Sequence, residues 1–277
     1  GGFKARHWYS VAVPWQVDVP WNNGYTLTGG ISAKSGAGAF RSLALGRDID
    51  LIYYDGAERA NHGHSDDCWR YVEDDGQNEA MQPGKAYMFY LLQDADTLLF
   101  VRKAGTNLHT NTTSVTAYEE HTDNMNKDAN WNGIANPATY KAYLNAGTTV
   151  GYIYVTETDQ YTIIDLDQES GKLVVGQAVY VQAGTENSMV VKANRNAFEP
   201  LFAPIRQMAA SSKARYDVSI TANGITTDRV IIRTEEDKPD QYTIAKDLVK
   251  FGVSKQVAQL WINRYDGRLS MNTMSMD

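Results

Sequence analysis

The densest cluster of reactive side chains is Asn61-His62-Gly63-His64-Ser65-Asp66-Asp67-Cys68, which holds two imidazoles, two carboxylates and the chain's single thiol. On an extended segment the His-x-His pair turns both rings to one side, where His62, His64 and Asp66 could hold zinc or copper. A solvated hairpin tip between Tyr54 and Trp69 is the simpler reading, because three neighbouring donors without outer hydrogen-bond partners make a weak site. Cys68 beside those histidines offers a nucleophile and a base, but adjacency in sequence is not the spatial arrangement that cysteine enzymes use. Asp165-Leu166-Asp167-Gln168-Glu169-Ser170-Gly171 alternates carboxylates in the manner of a calcium loop. Its glycine stands seventh rather than sixth, and position twelve is Gly176 rather than glutamate, so it reads as a polar turn with at most a weak surface calcium site.

Large aromatic residues are the other chemical resource, since their flat faces stack on sugar rings and on partner side chains. Trp15 and Trp21 lie among Pro14, Pro20, Asn22 and Asn23, in a stretch too broken for a central strand. Trp15, Trp21, Asn22 and Asn23 are therefore the candidate binding set, for a glycan or a protein partner. The competing assignment places both indoles in the core. Trp69, Tyr71, Trp131 and Trp261 are assigned to the core from their repeat or strand positions. No Gly-x-Ser-x-Gly, P-loop or dinucleotide motif occurs, and the glycine-rich stretch 29–38 lacks phosphate-loop order and reads as a flexible loop. A hydrolytic pair could be drawn from 33 acidic residues, which is why their presence carries no information. The expectation is a protein with neither catalytic site nor cofactor.

Composition sets what must position these residues. With 277 residues and 43% apolar content the chain can bury a core of two or three modules, which excludes disorder as the main state. A net charge of -7 repels a phosphate backbone, so nucleic acid is excluded as a partner. No apolar run reaches the roughly 18 residues of a membrane span, so no membrane insertion is expected. One cysteine rules out an intrachain disulfide framework. The opening Gly1-Gly2 reads as a trimmed start, with any export signal already removed.

Short alternating runs outnumber helical stripes. Strands are expected at 11–13, 50–54, 86–91, 97–101, 150–155, 161–164, 172–175, 178–181 and 189–191, and a hairpin at 216–220 and 229–233 joined through Ala222-Asn223-Gly224. One short helix is expected near Ala138 to Leu144. A duplication also emerges, with the landmarks in the same order in both halves. Trp8 stands six residues before Pro14 as Trp131 stands six before Pro137; Leu51-Ile52-Tyr53-Tyr54 matches Tyr152-Ile153-Tyr154-Val155; PGKAYMFY at Gly84 and Ala86 matches VGQAVYVQ at Gly176 and Ala178. The fold class expected is all-β: two related, jelly-roll-like β-sandwich modules over residues 1–110 and 111–200, and a β-rich C-terminal unit over 201–277 packed closely on them.

The same blocks carry a resemblance. YYDGAERA with the following tryptophan and PGKAYMFY, then WNGIANP and VGQAVYVQ, are similar to blocks in large cell-surface and secreted proteins of the Bacteroidetes. The tail from Ala214 to Met274, with an Asp228-Arg229 pair expected to be exposed, is similar to the β-rich segment that follows in them. The resemblance implies an exported module on the outer cell surface, commonly beside leucine-rich repeats or a secretion-sorting domain. Its implied role is adhesion or scaffolding, with a glycan, a host or bacterial surface protein, or neighbouring domains as partners. Under that reading the sequon at Asn111 is irrelevant, and Asp96-Thr97-Leu98 matches a short O-glycan acceptor pattern. Two other functions stand beside it: a spacer without ligand, which predicts no pocket, and a polysaccharide hydrolase assembled from distant loops.

Overall fold

In a computed structural model of the chain the described residues are 2–19, 30–63, 68–72, 80–106, 112–115, 127–145, 150–156, 158–166, 172–182, 189–194, 214–222, 224–236, 238, 241–243, 246–251, 258–265 and 267–275. The protein is all-β, with one short helix among them. Two four-stranded antiparallel sheets form its centre. The first runs β1 (Trp8–Val11), β8 (Tyr87–Leu91), β5 (Ile49–Tyr54), β6 (Trp69–Tyr71), and the second runs β11 (Trp131–Ala135), β15 (Ala178–Gln182), β13 (Val150–Val155), β14 (Gln160–Asp165). Strand order is therefore the same in both. So is the register: Trp8 faces Tyr90 and Ser10 faces Met88, as Trp131 faces Gln182 and Gly133 faces Tyr180. The duplicated landmarks thus occupy equivalent places, and Gly84 and Gly176 both take positive φ in the turns that launch β8 and β15.

One part of the sequence alignment shifts by a residue. Ile52 pairs with Met88 and Tyr152 pairs with Tyr180, so Tyr152 is equivalent to Ile52 and not to Leu51, and Tyr154 is equivalent to Tyr54. The β5–β6 and β13–β14 pairings agree, with Tyr54 opposite Trp69 and Tyr154 opposite Tyr161. A one-residue shift moves every side chain to the other face. It went unseen in the sequence because these strands are largely covered on both faces, which removes the alternation that would set the phase.

Each central sheet has an outer partner. In the first half β3 (Gly30–Lys34) is flanked by β4 (Arg41–Ser42) and β9 (Thr97–Val101), beside the pair β2 (Val17–Asp18) and β7 (Ala80–Met81). In the second half β16 (Met189–Asn194) lies between β10 (Thr112–Val115) and β12 (Tyr143–Asn145). Tyr87, Phe89 and Leu91 of β8 join the first half's outer core, and Val179 and Val181 of β15 join the second half's. The opposite faces, with Ala86, Met88, Ala178 and Tyr180, meet in one core shared by both halves. Two reciprocal hydrogen bonds mark that contact: Ala12 N–H donates to Gly176 O (3.0 Å) and its equivalent Ala135 N–H donates to Gly84 O (2.9 Å). The halves meet as an isologous pair, each offering the same patch to the other.

The C-terminal sheet runs β17 (Arg215–Ala222), β18 (Ile225–Glu235), β21 (Gly267–Ser275), β19 (Leu248–Val249), with β20 (Ile262–Arg264) also on β21. The expected hairpin is β17 with β18, while β18 and β21 are parallel. Asp228 is buried rather than exposed. Its carboxylate accepts from Lys250 Nζ (2.5 Å) and Leu260 N–H (2.7 Å), and burial holds the Lys250 ammonium below its ordinary pKa against the pull of Asp228.

Further expectations fail for local reasons. β1 ends at Val11 rather than running over 11–13, and residues 172–175 give only the isolated bridge of Leu173 to Ala142. A helix stands in place of the hairpin tip expected between Tyr54 and Trp69, and neither the helix near Ala138 to Leu144 nor a loop throughout 29–38 is formed. The helix is α1 (Gly56–His62), started by Asp55, whose carboxylate accepts from Ala57 N–H and Glu58 N–H. Residues 138–142 instead turn around the Asn136 side chain, which accepts from Ala138 N–H and donates to Tyr140 O and Leu173 O before Ala142 bridges to Leu173. The glycine-rich stretch is not a loop throughout, since Gly30–Lys34 forms the centre of an outer sheet.

Candidate functional site

A cleft of about 550 Å³ opens where the central sheets meet, lined by Trp8, Ile52, Trp69, Arg70, Tyr71 and Met88 of the first half and Tyr154, Asp159 and Tyr161 of the second. Strand alternation puts these side chains there. Trp69 and Tyr71 lie two apart on β6 and share a face, as do Tyr152 and Tyr154 on β13. Trp8 opens β1 and rests against the ring of its cross-strand partner Tyr90 at 5.1 Å. Trp69 meets Tyr54 edge-on at 5.0 Å and Tyr180 at 5.7 Å, so its inner side is fixed while its outer side faces the cleft. Tyr154 and Tyr161, paired across β13 and β14, stand edge to face at 5.3 Å.

The polar groups are few and oriented. Asp159 sits at the tip of the β13–β14 hairpin at φ +51°, a conformation that side chains other than glycine rarely adopt, and its carboxylate accepts from the Tyr154 hydroxyl. The same hairpin reaches the other half through Thr156 Oγ1, which donates to Trp8 O (3.4 Å). Arg70 donates to Asp55 (3.3 Å) and pairs with Glu58, so the helix start that caps α1 also holds the guanidinium at the rim. Burial raises the Tyr154 phenol well above its ordinary pKa, and Asp159 adds to the rise; Tyr161 is raised by burial and by the neighbouring phenols. Both stay neutral hydroxyls across the physiological range.

Such a site can stack a flat, weakly polar ring between aromatic faces and offer hydrogen bonds at one edge. Its lining includes one carboxylate, Asp159.

The sequence candidates fall elsewhere. Trp15 is half-buried against the first half's outer core and does not line the cleft; Trp21, Asn22 and Asn23 lie outside the described residues. His62 closes the last turn of α1 instead of standing on an extended segment, with Nδ1 3.1 Å from Glu58, so the period-two argument does not apply to it. His64 and Asp66 lie outside the described residues, among which no cluster of three or more His, Cys, Asp or Glu could hold a metal. Cys68 is buried in the shared core, its thiol 3.3 Å from Gly63 O. Asp165 is taken up by Arg215 (2.7 Å) and Arg229 (2.9 Å), joining β14 to the C-terminal sheet, and Asp167 and Asn111 lie outside the described residues.

Of the tryptophans and tyrosine assigned to the core, Trp131 is fully buried and Trp69 half-buried, but Tyr71 is 60% and Trp261 41% exposed. Tyr71 ends its strand at the cleft mouth, and Trp261 lies under the Arg268 guanidinium at 4.4 Å. Trp8, Trp69, Tyr71, Tyr154, Asp159 and Tyr161 were missed as a group because they converge only when the two halves meet. The local signal was the pair of aromatics two apart on each of β6 and β13. Comparison with known families, curated proteins and solved structures returned no match to this chain.

Proposed function

We propose that this chain is a non-catalytic recognition module of an exported bacterial surface protein, with an adhesive role, and that it holds its ligand in the aromatic cleft. The cleft carries the reading: five aromatic side chains from both halves surround one space on a rigid double-sheet frame. A spacer has no use for such a space. Hydrolysis of a glycoside by the usual route needs two carboxyl groups across the scissile bond, whereas Asp159 is already engaged with Tyr154 and Arg70 holds Asp55 and Glu58. The location rests on the sequence resemblance to Bacteroidetes surface proteins.

The test is thermal melting of the purified chain against panels of glycans and surface-protein peptides. A ligand at about 100 times its dissociation constant adds roughly 2.7 kcal/mol to the state that binds it. A shift expected in the native chain and in Trp15→Ala, and lost in Trp8→Ala with Tyr71→Ala, places the ligand in the cleft. A flat response to every ligand class leaves the spacer role standing.

A further inference from the structure

The reciprocal contact of the halves relates the cleft to a second site. Trp8 is equivalent to Trp131, Ile52 to Tyr152, Met88 to Tyr180 and Tyr154 to Tyr54. Exchanging the halves therefore turns the cleft wall Trp8, Ile52, Met88 and Tyr154 into Trp131, Tyr152, Tyr180 and Tyr54. That second socket is filled. Phe251, directly beyond Lys250 and the end of β19, places its ring 4.9 Å from Trp131, 5.4 Å from Tyr152, 5.5 Å from Tyr180 and 5.4 Å from Tyr54. The Tyr152 hydroxyl donates to Val249 O (2.9 Å) and anchors the backbone that delivers the ring. Phe251 is buried, and the walls around it belong to the shared core.

Among the described residues the cleft is the same socket without a plug, and its aromatic walls Trp8, Trp69, Tyr154 and Tyr161 remain only partly buried, Tyr161 also packing 4.7 Å from Phe251. We propose that it takes an aromatic side chain presented by a segment of another polypeptide, as its counterpart takes Phe251. This rests on the cleft being the ligand site and narrows the ligand to protein. Where the filled socket has Tyr152 and Tyr180, the cleft has the smaller Ile52 and the unbranched, adaptable Met88. It also has Arg70 and Asp159 at its rim, where Arg59 closes the filled socket. More room and a polar edge select tryptophan or tyrosine over phenylalanine, because each carries a polar group on a large ring.

The experiment follows the Met88 methyl by NMR in the full chain labelled at methionine, with the buried Met81 and Met271 methyls reporting that the fold is intact. The probes are the blocked peptide Gly-Gly-Trp-Gly-Gly, its alanine analogue, and cello- and xylo-oligosaccharides. The expected result is a saturable Met88 shift with the tryptophan peptide and none with the alanine peptide. Tyr71→Ala, an exposed position, should raise the half-saturation concentration about tenfold, the effect of truncating one well-packed anchor contact. Trp15→Ala should leave it unchanged. A shift with oligosaccharides alone overturns the protein ligand and keeps the cleft as a glycan site, whereas no shift with either probe class removes both.

Discussion

Gly151 has no room for a side chain, since a Cβ there would lie 2.7 Å from Val179 Cγ2, 2.9 Å from Val181 Cγ1 and 3.0 Å from Tyr180 O. Backbone and branched side chains of a central strand cannot step aside, so Gly151→Ala should destabilise by about 1–3 kcal/mol in urea denaturation. Arg59 is a buried cation over the Trp131 ring at 4.2 Å, with Asp128 (3.0 Å) and the Tyr54 hydroxyl (3.0 Å) as partners. Arg59→Ala removes the charge, the stacked plane and both bonds, and should cost about 3–5 kcal/mol by the same measurement. Asp48 supplies an acid-sensitive contact. Burial raises its pKa, but Arg47, Arg41 and Ala44 N–H together outweigh that and hold it below the ordinary carboxylate value. Its stabilising contribution is therefore present above the unfolded value and lost as pH falls through the folded one. Asp48→Asn should lower stability most at neutral pH and least in acid, and so flatten the acid limb of a stability-against-pH curve.

At the scale of elements, β19 and the residues after it fasten the C-terminal sheet to the two halves through Phe251. Phe251→Ala should lower stability by about 3–5 kcal/mol and raise amide exchange in β17 to β21, read by hydrogen-exchange mass spectrometry. The elements also show why some of the fold was legible in the sequence. Trp8, Trp131, Gly84 and Gly176 fixed the equivalence of β1 with β11 and β8 with β15 to the residue, because a tryptophan packed on its sheet and a left-handed glycine tolerate few replacements. β5 and β13 slipped by one, since both faces of each are covered and hydrophobic residues follow one another without alternation. The start of α1 was present as Asp55 with Glu58 three residues on, a helix-start pattern hidden inside what read as a polar hairpin tip. The cleft had no comparable signature, because no local pattern tells β6 that Tyr154 will stand opposite it.

Across the whole molecule, buried phenols set the alkaline limit. Burial raises Tyr54, Tyr152, Tyr154, Tyr161, Tyr180 and Tyr242 above the ordinary value of about 10. A group whose folded value is raised gives full stability below its unfolded value and loses it as pH climbs beyond, by up to about 1.4 kcal/mol per pH unit for each phenol. The tyrosinate absorbance of these six should therefore appear late and in step with cooperative unfolding rather than gradually from pH about 10. The shared core carries a second expectation. Residues 1–110 expressed alone would bare Ala12, Ile52, Tyr54, Ala86 and Met88, and should self-associate in sedimentation as the missing half is replaced by a copy.

The hydrogen bonds from Ala12 to Gly176 and from Ala135 to Gly84 have a consequence for how such a chain can change. Two identical subunits joined by this patch would carry every mutation in both sockets at once, so the two could only be open together or closed together. A tandem chain escapes that rule. One socket is sealed by the chain's own Phe251 while the other is free to diverge, so that under the binding proposed above the molecule would have a valency of one and a front distinct from its back.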